Sequence, residues 1–139
     1  MIVLDTNVIS ALMHDEPDLA VMAWINPIAR ESIWITTISI FEIRYGIEQL
    51  VVSRRRKRLD DAFDLILEAG FPNRVLSLDE RAAVAAASIA AGRKQAGRPA
   101  EFRDTLIAGI VVSRRADLAT RNVRHYDDLD IKVINPWTI

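Results

Sequence analysis

Short apolar runs alternate with stretches of helical periodicity along the whole chain, and this alternation constrains the fold most. IVL (2–4), IWIT (33–36), RVLSL (74–78), ADLATRN (116–122) and DIKVINPW (130–137) read as strands, several of them rich in β-branched residues. A first helix starts at Thr6 or Asn7, carries Val8, Ile9, Leu12 and Met13, and breaks near 15–17. Further helices are expected over 18–29, over 37–50 with Ile40, Ile43, Ile47 and Leu50 apolar, and over 54–69 before Gly70 and Pro72. An alanine-rich helix opens at DERAAVAAASIAAGRK (79–94) and ends around 92–97, and another spans 101–114. No two-residue hairpin signal joins the first four strands. The pattern predicts a three-layer α/β/α domain with a mainly parallel sheet of four to five strands flanked by helices. No repeat, linker or shift in composition divides residues 1–139, so a single domain is expected.

Composition narrows the function classes. The chain has no cysteine, which removes disulfides, thiolate metal sites and cysteine nucleophiles, and fits a reducing cytoplasm. No apolar run reaches the ~18–20 residues that span a bilayer, and the start lacks the layout of a signal peptide. The formal net charge is −1, so a polyanionic ligand would need local basic groups or a bound cation.

In open α/β sheets, ligands bind at the carboxyl ends of the strands. Asp5 follows the first strand there, and Asn122 follows the fourth. Glu42 lies six residues beyond IWIT, and Asp104 lies in the first turn of the helix expected at 101–114. Four oxygen-bearing side chains can therefore share one rim. Three carboxylates in one cleft repel each other and call for a cation, and an all-oxygen donor set suits Mg²⁺ or Mn²⁺. Such an ion activates water, stabilises charge on a phosphoryl oxygen, and offsets the phosphates of a nucleic acid.

Each residue also has a purely structural reading. Asp5 suits an N-cap; Ser39 and Glu42 have the spacing of a capping box, as do Ser77 and Glu80, with Asp79 an alternative cap. Asp104 complements a helix dipole, and Asn122 suits a turn. Their joint placement favours chemistry. The five basic residues of SRRRKRLDD (53–61) wrap a helix instead of lining one face, and Arg56–Asp60 and Lys57–Asp61 have ion-pair spacing, so a solvated surface is the expected reading. His14 and His125 form no metal-spaced pair, and a general-base role for His125 is the weaker of its readings. Arg121 and Arg124 flank the proposed rim and suit either phosphate contact or pairing with Asp127 and Asp128. Serine hydrolysis has no supporting motif. A phosphatase with Asp5 as nucleophile lacks the second aspartate two residues on, where Asn7 stands.

The ordered blocks MIVLDTNVIS, ISIFEIRYGI, FRDTLIAGIV and LATRNVRHYDDL, with the terminal NPW, resemble PIN-domain proteins across essentially the whole chain. The likeness is to the VapC and FitB-like toxins of type II toxin–antitoxin pairs. That resemblance implies a Mg²⁺-dependent endoribonuclease, with Mn²⁺ able to substitute. Its acidic positions fall on Asp5, Glu42 and Asp104; the fourth, often an aspartate, is Asn122 here. The loss of one charge weakens the case for a second metal. Thr6, Asn7, Thr120 and Arg121 take the places of residues that orient the carboxylates or the substrate phosphate. The resemblance also implies a homodimer silenced by a cognate antitoxin, assembled through the antitoxin on operator DNA. A catalytically degenerate PIN domain that binds RNA or protein is the alternative.

Overall fold

The computed structural model describes residues 1–139. Five strands, β1 (Ile2–Leu4), β2 (Ile33–Thr36), β3 (Val75–Leu76), β4 (Asp117–Ala119) and β5 (Val133–Ile134), form one sheet in the order β3-β2-β1-β4-β5. Every pairing is parallel, so the expected mainly parallel sheet is wholly so. Six helices cover it: α1 (Thr6–Met13), α2 (Leu19–Ile25), α3 (Thr37–Glu48), α4 (Arg54–Leu65), α5 (Glu80–Gln95) and α6 (Phe102–Ser113).

Successive strand residues point to opposite faces, and this produces the three layers. Leu4, Ile33, Ile35 and Ala119 pack with Val8 and Ile9 of α1, Val21 of α2, Ile43 and Ile47 of α3 and Phe63 of α4. On the other face Val3, Leu76 and Leu118 pack with Ala82 of α5 and Ile107, Ala108, Ile110 and Val111 of α6. A sheet buried on both sides explains why its strands are continuous apolar runs.

Several expected boundaries move, each for a local reason. The helix expected over 18–29 is α2, which stops at Ile25, since Pro27 has no N–H to continue the ladder. Asp18 caps it, accepting from the N–H groups of Ala20 and Val21. The run expected over 54–69 ends as α-helix at Leu65 and continues as a wider turn over Ile66–Gly70. Asp79, not Ser77, caps α5 by accepting from Ala82 N–H at 2.9 Å. The helix ends at Gln95, and Gly97 two residues on turns the chain away at a φ of +64°, the left-handed region that favours glycine. In the basic run, Lys57 pairs with Asp61 as expected. The Arg56–Asp60 pair does not form: Arg56 binds Glu48, and Asp60 binds Arg44.

The alanine-rich α5 packs within the monomer against α6. Gly109 makes this approach possible, because a Cβ there would lie 2.6 Å from both Ala82 O and Ala86 Cβ. Gly109→Ala is expected to cost about 3 kcal/mol by overpacking, read as a lower midpoint of urea denaturation.

Candidate functional site

The chain runs from β1 outward to β2 and β3, then returns to the other side of β1 for β4 and β5. Adjacent strands that depart in opposite directions leave a crevice at their carboxyl ends, here between β1 and β4. Register decides what faces what. Leu4 pairs with Ala119, so the residues that follow, Asp5 and Thr120, stand side by side. Asp5 N–H donates to Ala119 O at 2.9 Å, extending the ladder by one bond.

Asp5 is only 3 % exposed. One oxygen accepts from Thr6 N–H at 2.8 Å, so the capping reading is correct as far as it goes. The other accepts from the Thr120 hydroxyl at 2.7 Å, and more weakly from the Asn7 amide at 3.4 Å and the Tyr126 hydroxyl at 3.4 Å. Burial nevertheless raises its pKa above the ordinary carboxylate value. The Thr120 and Thr6 bonds oppose that rise, and the charge of Asp104 adds to it.

Glu42 projects from the second turn of α3. Its capping-box role is overturned: Thr36 caps the helix, accepting from Ser39 N–H at 3.1 Å. Glu42 Oε1 instead accepts from the Thr6 hydroxyl at 2.9 Å, across from α1. Burial raises the pKa of Glu42, and the charges of Asp5 and Asp104 raise it further, while Thr6 and Arg103 lower it. Arg103 lies 3.9 Å from Glu42 and 3.2 Å from Glu101, the residue that caps α6 through Asp104 N–H.

Asp104 accepts from His125 Nδ1 at 2.6 Å. Tyr126, the next residue, is fully buried beside Asp5, and its phenol is held far above the usual range by burial and by Asp5 and Asp104. The carboxylates of Asp5, Glu42 and Asp104 thus share one electrostatic neighbourhood, and Thr6 links two of them, its N–H donating to Asp5 and its hydroxyl to Glu42. No three acidic or histidine side chains stand in a ligand arrangement around one point. The donor chemistry still fits a hard divalent cation: the groups are all oxygens, desolvation opposes the charge of Asp5 and Glu42, and all three repel one another.

The other expected residues contribute differently. Thr6 bridges Ser39 and Glu42, and Asn7 spans from Asp5 and Thr120 to the N–H of Arg121, which donates to Asn7 Oδ1 at 3.1 Å. Arg121 reaches the site only through that backbone group, since its guanidinium lies over Trp137 at 4.9 Å. The Trp137 indole in turn donates to Asp18, which anchors the terminal NPW to the cap of α2. Asn122 is exposed, and its backbone N–H donates to the Thr120 hydroxyl at 3.0 Å. Of the two readings of Arg121 and Arg124, pairing with Asp127 and Asp128 does not form; Arg98 takes both aspartates, and Arg93 binds Asp128. Sequence reasoning missed Tyr126 and Arg93. The only signal for the first was a tyrosine placed in a polar segment four residues from the rim position Asn122.

The PIN domain family matches residues 2–131. The plasmid stability protein StbB of Pseudomonas syringae pv. tomato is 37% identical over 137 residues, 99% of each chain. A VapC ribonuclease, Y4jK of Sinorhizobium fredii, is 34% identical over 99% of this chain and 98% of that one. Among solved structures, FitAB bound to an IR36 DNA fragment superposes with a TM-score of 0.90 at 29% identity, covering 100% of this chain and 97% of that chain. A carboxylate crevice at the switch point of a parallel five-stranded sheet, with relatives matched end to end, leads to one assignment: the chain belongs to the PIN domain family.

Proposed function

We propose that the protein is the toxin of a type II toxin–antitoxin pair, and that it is a Mg²⁺-dependent endoribonuclease. The observation that carries this reading is the crevice itself. Asp5 is buried and Glu42 half-buried, both with raised pKa values and each pushed up further by Asp104, at a cost in stability that a bound cation would relieve. Support also comes from relatives named a VapC ribonuclease and a toxin, FitB of Neisseria gonorrhoeae, at 34% and 30% identity.

In this reading Asp5, Glu42 and Asp104 hold the ion. When bound, Mg²⁺ supplies an activated water and stabilises charge on the phosphoryl oxygen. The protein's own part is orientation. Thr120 and Thr6 N–H fix the two oxygens of Asp5, the Thr6 hydroxyl fixes Glu42, and Asn7 ties Asp5 to the strand-end loop that carries Asn122. Asn122 places an uncharged amide at the exposed lip, whose N–H group can donate to a substrate phosphate and whose oxygen can accept from water. The partners proposed are an RNA substrate, a second copy of the chain, and a cytoplasmic antitoxin that carries the complex to operator DNA. The solved structure of FitAB bound to a DNA fragment is consistent with the last.

The exposed, uncharged Asn122 favours one second reading, a PIN domain that binds RNA or protein without cutting. Single-stranded RNA incubated with the antitoxin-free protein separates the two. Cleavage with Mg²⁺ and none with excess EDTA is expected; no cleavage with Mg²⁺ or Mn²⁺ would favour the binding module.

A further inference from the structure

The short helical turn Val123–Tyr126 follows β4 and delivers two consecutive side chains to two different carboxylates. Tyr126 faces Asp5, and His125 faces Asp104. The turn has a backbone bond of its own, His125 N–H to Asn122 O at 3.0 Å, and is held from α5 as well. Arg93 of α5, 3 % exposed, donates through Nη2 to His125 O at 2.6 Å. The same guanidinium grips Asp128 with two bonds of 2.8 and 3.0 Å, and its Nη1 donates to the Thr105 hydroxyl at 3.1 Å. Thr105 adjoins Asp104 on α6. One planar, buried fork therefore sets the position of both the His125 backbone and the helical turn that carries Asp104.

We propose that His125 is a positioning residue of the carboxylate site, whose Nδ1–H fixes the rotamer of Asp104 for cation binding; this rests on the cation reading above. An ionised carboxylate only accepts, so Nδ1 must carry the hydrogen. At 2.6 Å the bond is short enough to restrain the carboxylate strongly. Half of the imidazole remains in solvent, its side chain being 51% exposed, so its loss removes a restraint without opening the core. A histidine that orients a metal-binding carboxylate acts through it, and such partners typically change metal affinity by about 10–100-fold.

The test is calorimetric titration of the metal-free, antitoxin-free protein with Mn²⁺, beside thermal melts of the same samples. His125→Ala is expected to weaken Mn²⁺ binding about 10-fold with an unchanged melting temperature. His125→Asn, whose side-chain amide can donate in place of Nδ1, is expected to recover most of that loss. An alanine variant that binds Mn²⁺ as tightly as wild type overturns the proposal, as does equal weakening in both variants. The ¹⁵N spectrum of the metal-free imidazole reads the contact without any metal: a hydrogen on Nδ1 is expected, and an Nδ1 without one contradicts it. A wild-type protein that shows the Nδ1 signature yet binds no Mn²⁺ overturns the cation reading, and with it the role given to His125.

Discussion

Asp5→Asn is expected to abolish RNA cleavage and, at the same time, to stabilise the metal-free protein. The loss should be about 10³-fold, the order found when one preorganised group is removed from a reacting centre. The gain follows from the raised pKa of Asp5, which burial causes first and Asp104 reinforces. Between the ordinary value of 3.8 and the folded value, the native state holds more protons than the unfolded chain. Stability therefore falls as pH rises through that window, and at neutral pH the charged carboxylate opposes folding. Glu42 acts in the same direction, with burial again the leading cause. An asparagine keeps the shape and loses the charge. The variant should be more stable by about 1–2 kcal/mol at pH 7, and the difference should vanish below about pH 4. Thermal melts of both proteins across pH, in the presence of EDTA, measure this. An Asp5→Asn variant less stable than wild type at pH 7 would contradict the electrostatic account of the crevice.

Arg93→Met should do the opposite, destabilising by about 3 kcal/mol. Methionine fills much of the same volume but leaves Asp128, the Thr105 hydroxyl and His125 O without their donor. Breaking a buried pair from one side costs roughly 3–5 kcal/mol, and the lower end applies here because Asp128 is 24% exposed and keeps Arg98 at 3.8 Å. The hydrogen bond from Arg93 holds the pKa of Asp128 below the ordinary range. Such a depressed carboxylate stabilises the fold above its unfolded pKa and withdraws that support as pH falls. The gap between wild type and variant in urea denaturation should accordingly narrow in acid, the reverse of the Asp5 trend in sign and cause.

The sheet and its helices were legible in the sequence because each strand is an apolar run bounded by clear caps and breakers. A parallel sheet covered on both faces demands that pattern, and Val3 and Leu4 show it in miniature by entering opposite cores. Helix ends were less legible. Pro27 shortens α2, and the choice of Asp79 over Ser77 as a cap depends on the entry angle of the chain. At the site, the strand-end position of Asp5 and its neighbour Thr120 could be inferred from parallel register alone. Glu42 was ambiguous because S-x-x-E spacing mimics a cap, and only the start of α3 at Thr37 resolves it. Arg93 could not be inferred at all. Its importance comes from three partners up to 35 residues away, brought together by the packing of α5 on α6. The stacking of Arg121 was not legible for a related reason, since the aromatic face that holds its guanidinium belongs to the last few residues of the chain.

On the reading proposed above, Asp5, Glu42 and Asp104 together form a divalent-cation site, and the melting temperature against Mn²⁺ concentration tests that claim most directly. Binding to the folded state alone stabilises by about 2.7 kcal/mol at one hundred times the dissociation constant. Wild type should therefore melt progressively higher as Mn²⁺ is added, closing its deficit against Asp5→Asn, while the Asp5→Asn and Asp104→Ala variants should respond little. A wild-type melting temperature that stays flat to millimolar Mn²⁺, or rises equally in all three proteins, would contradict the claim.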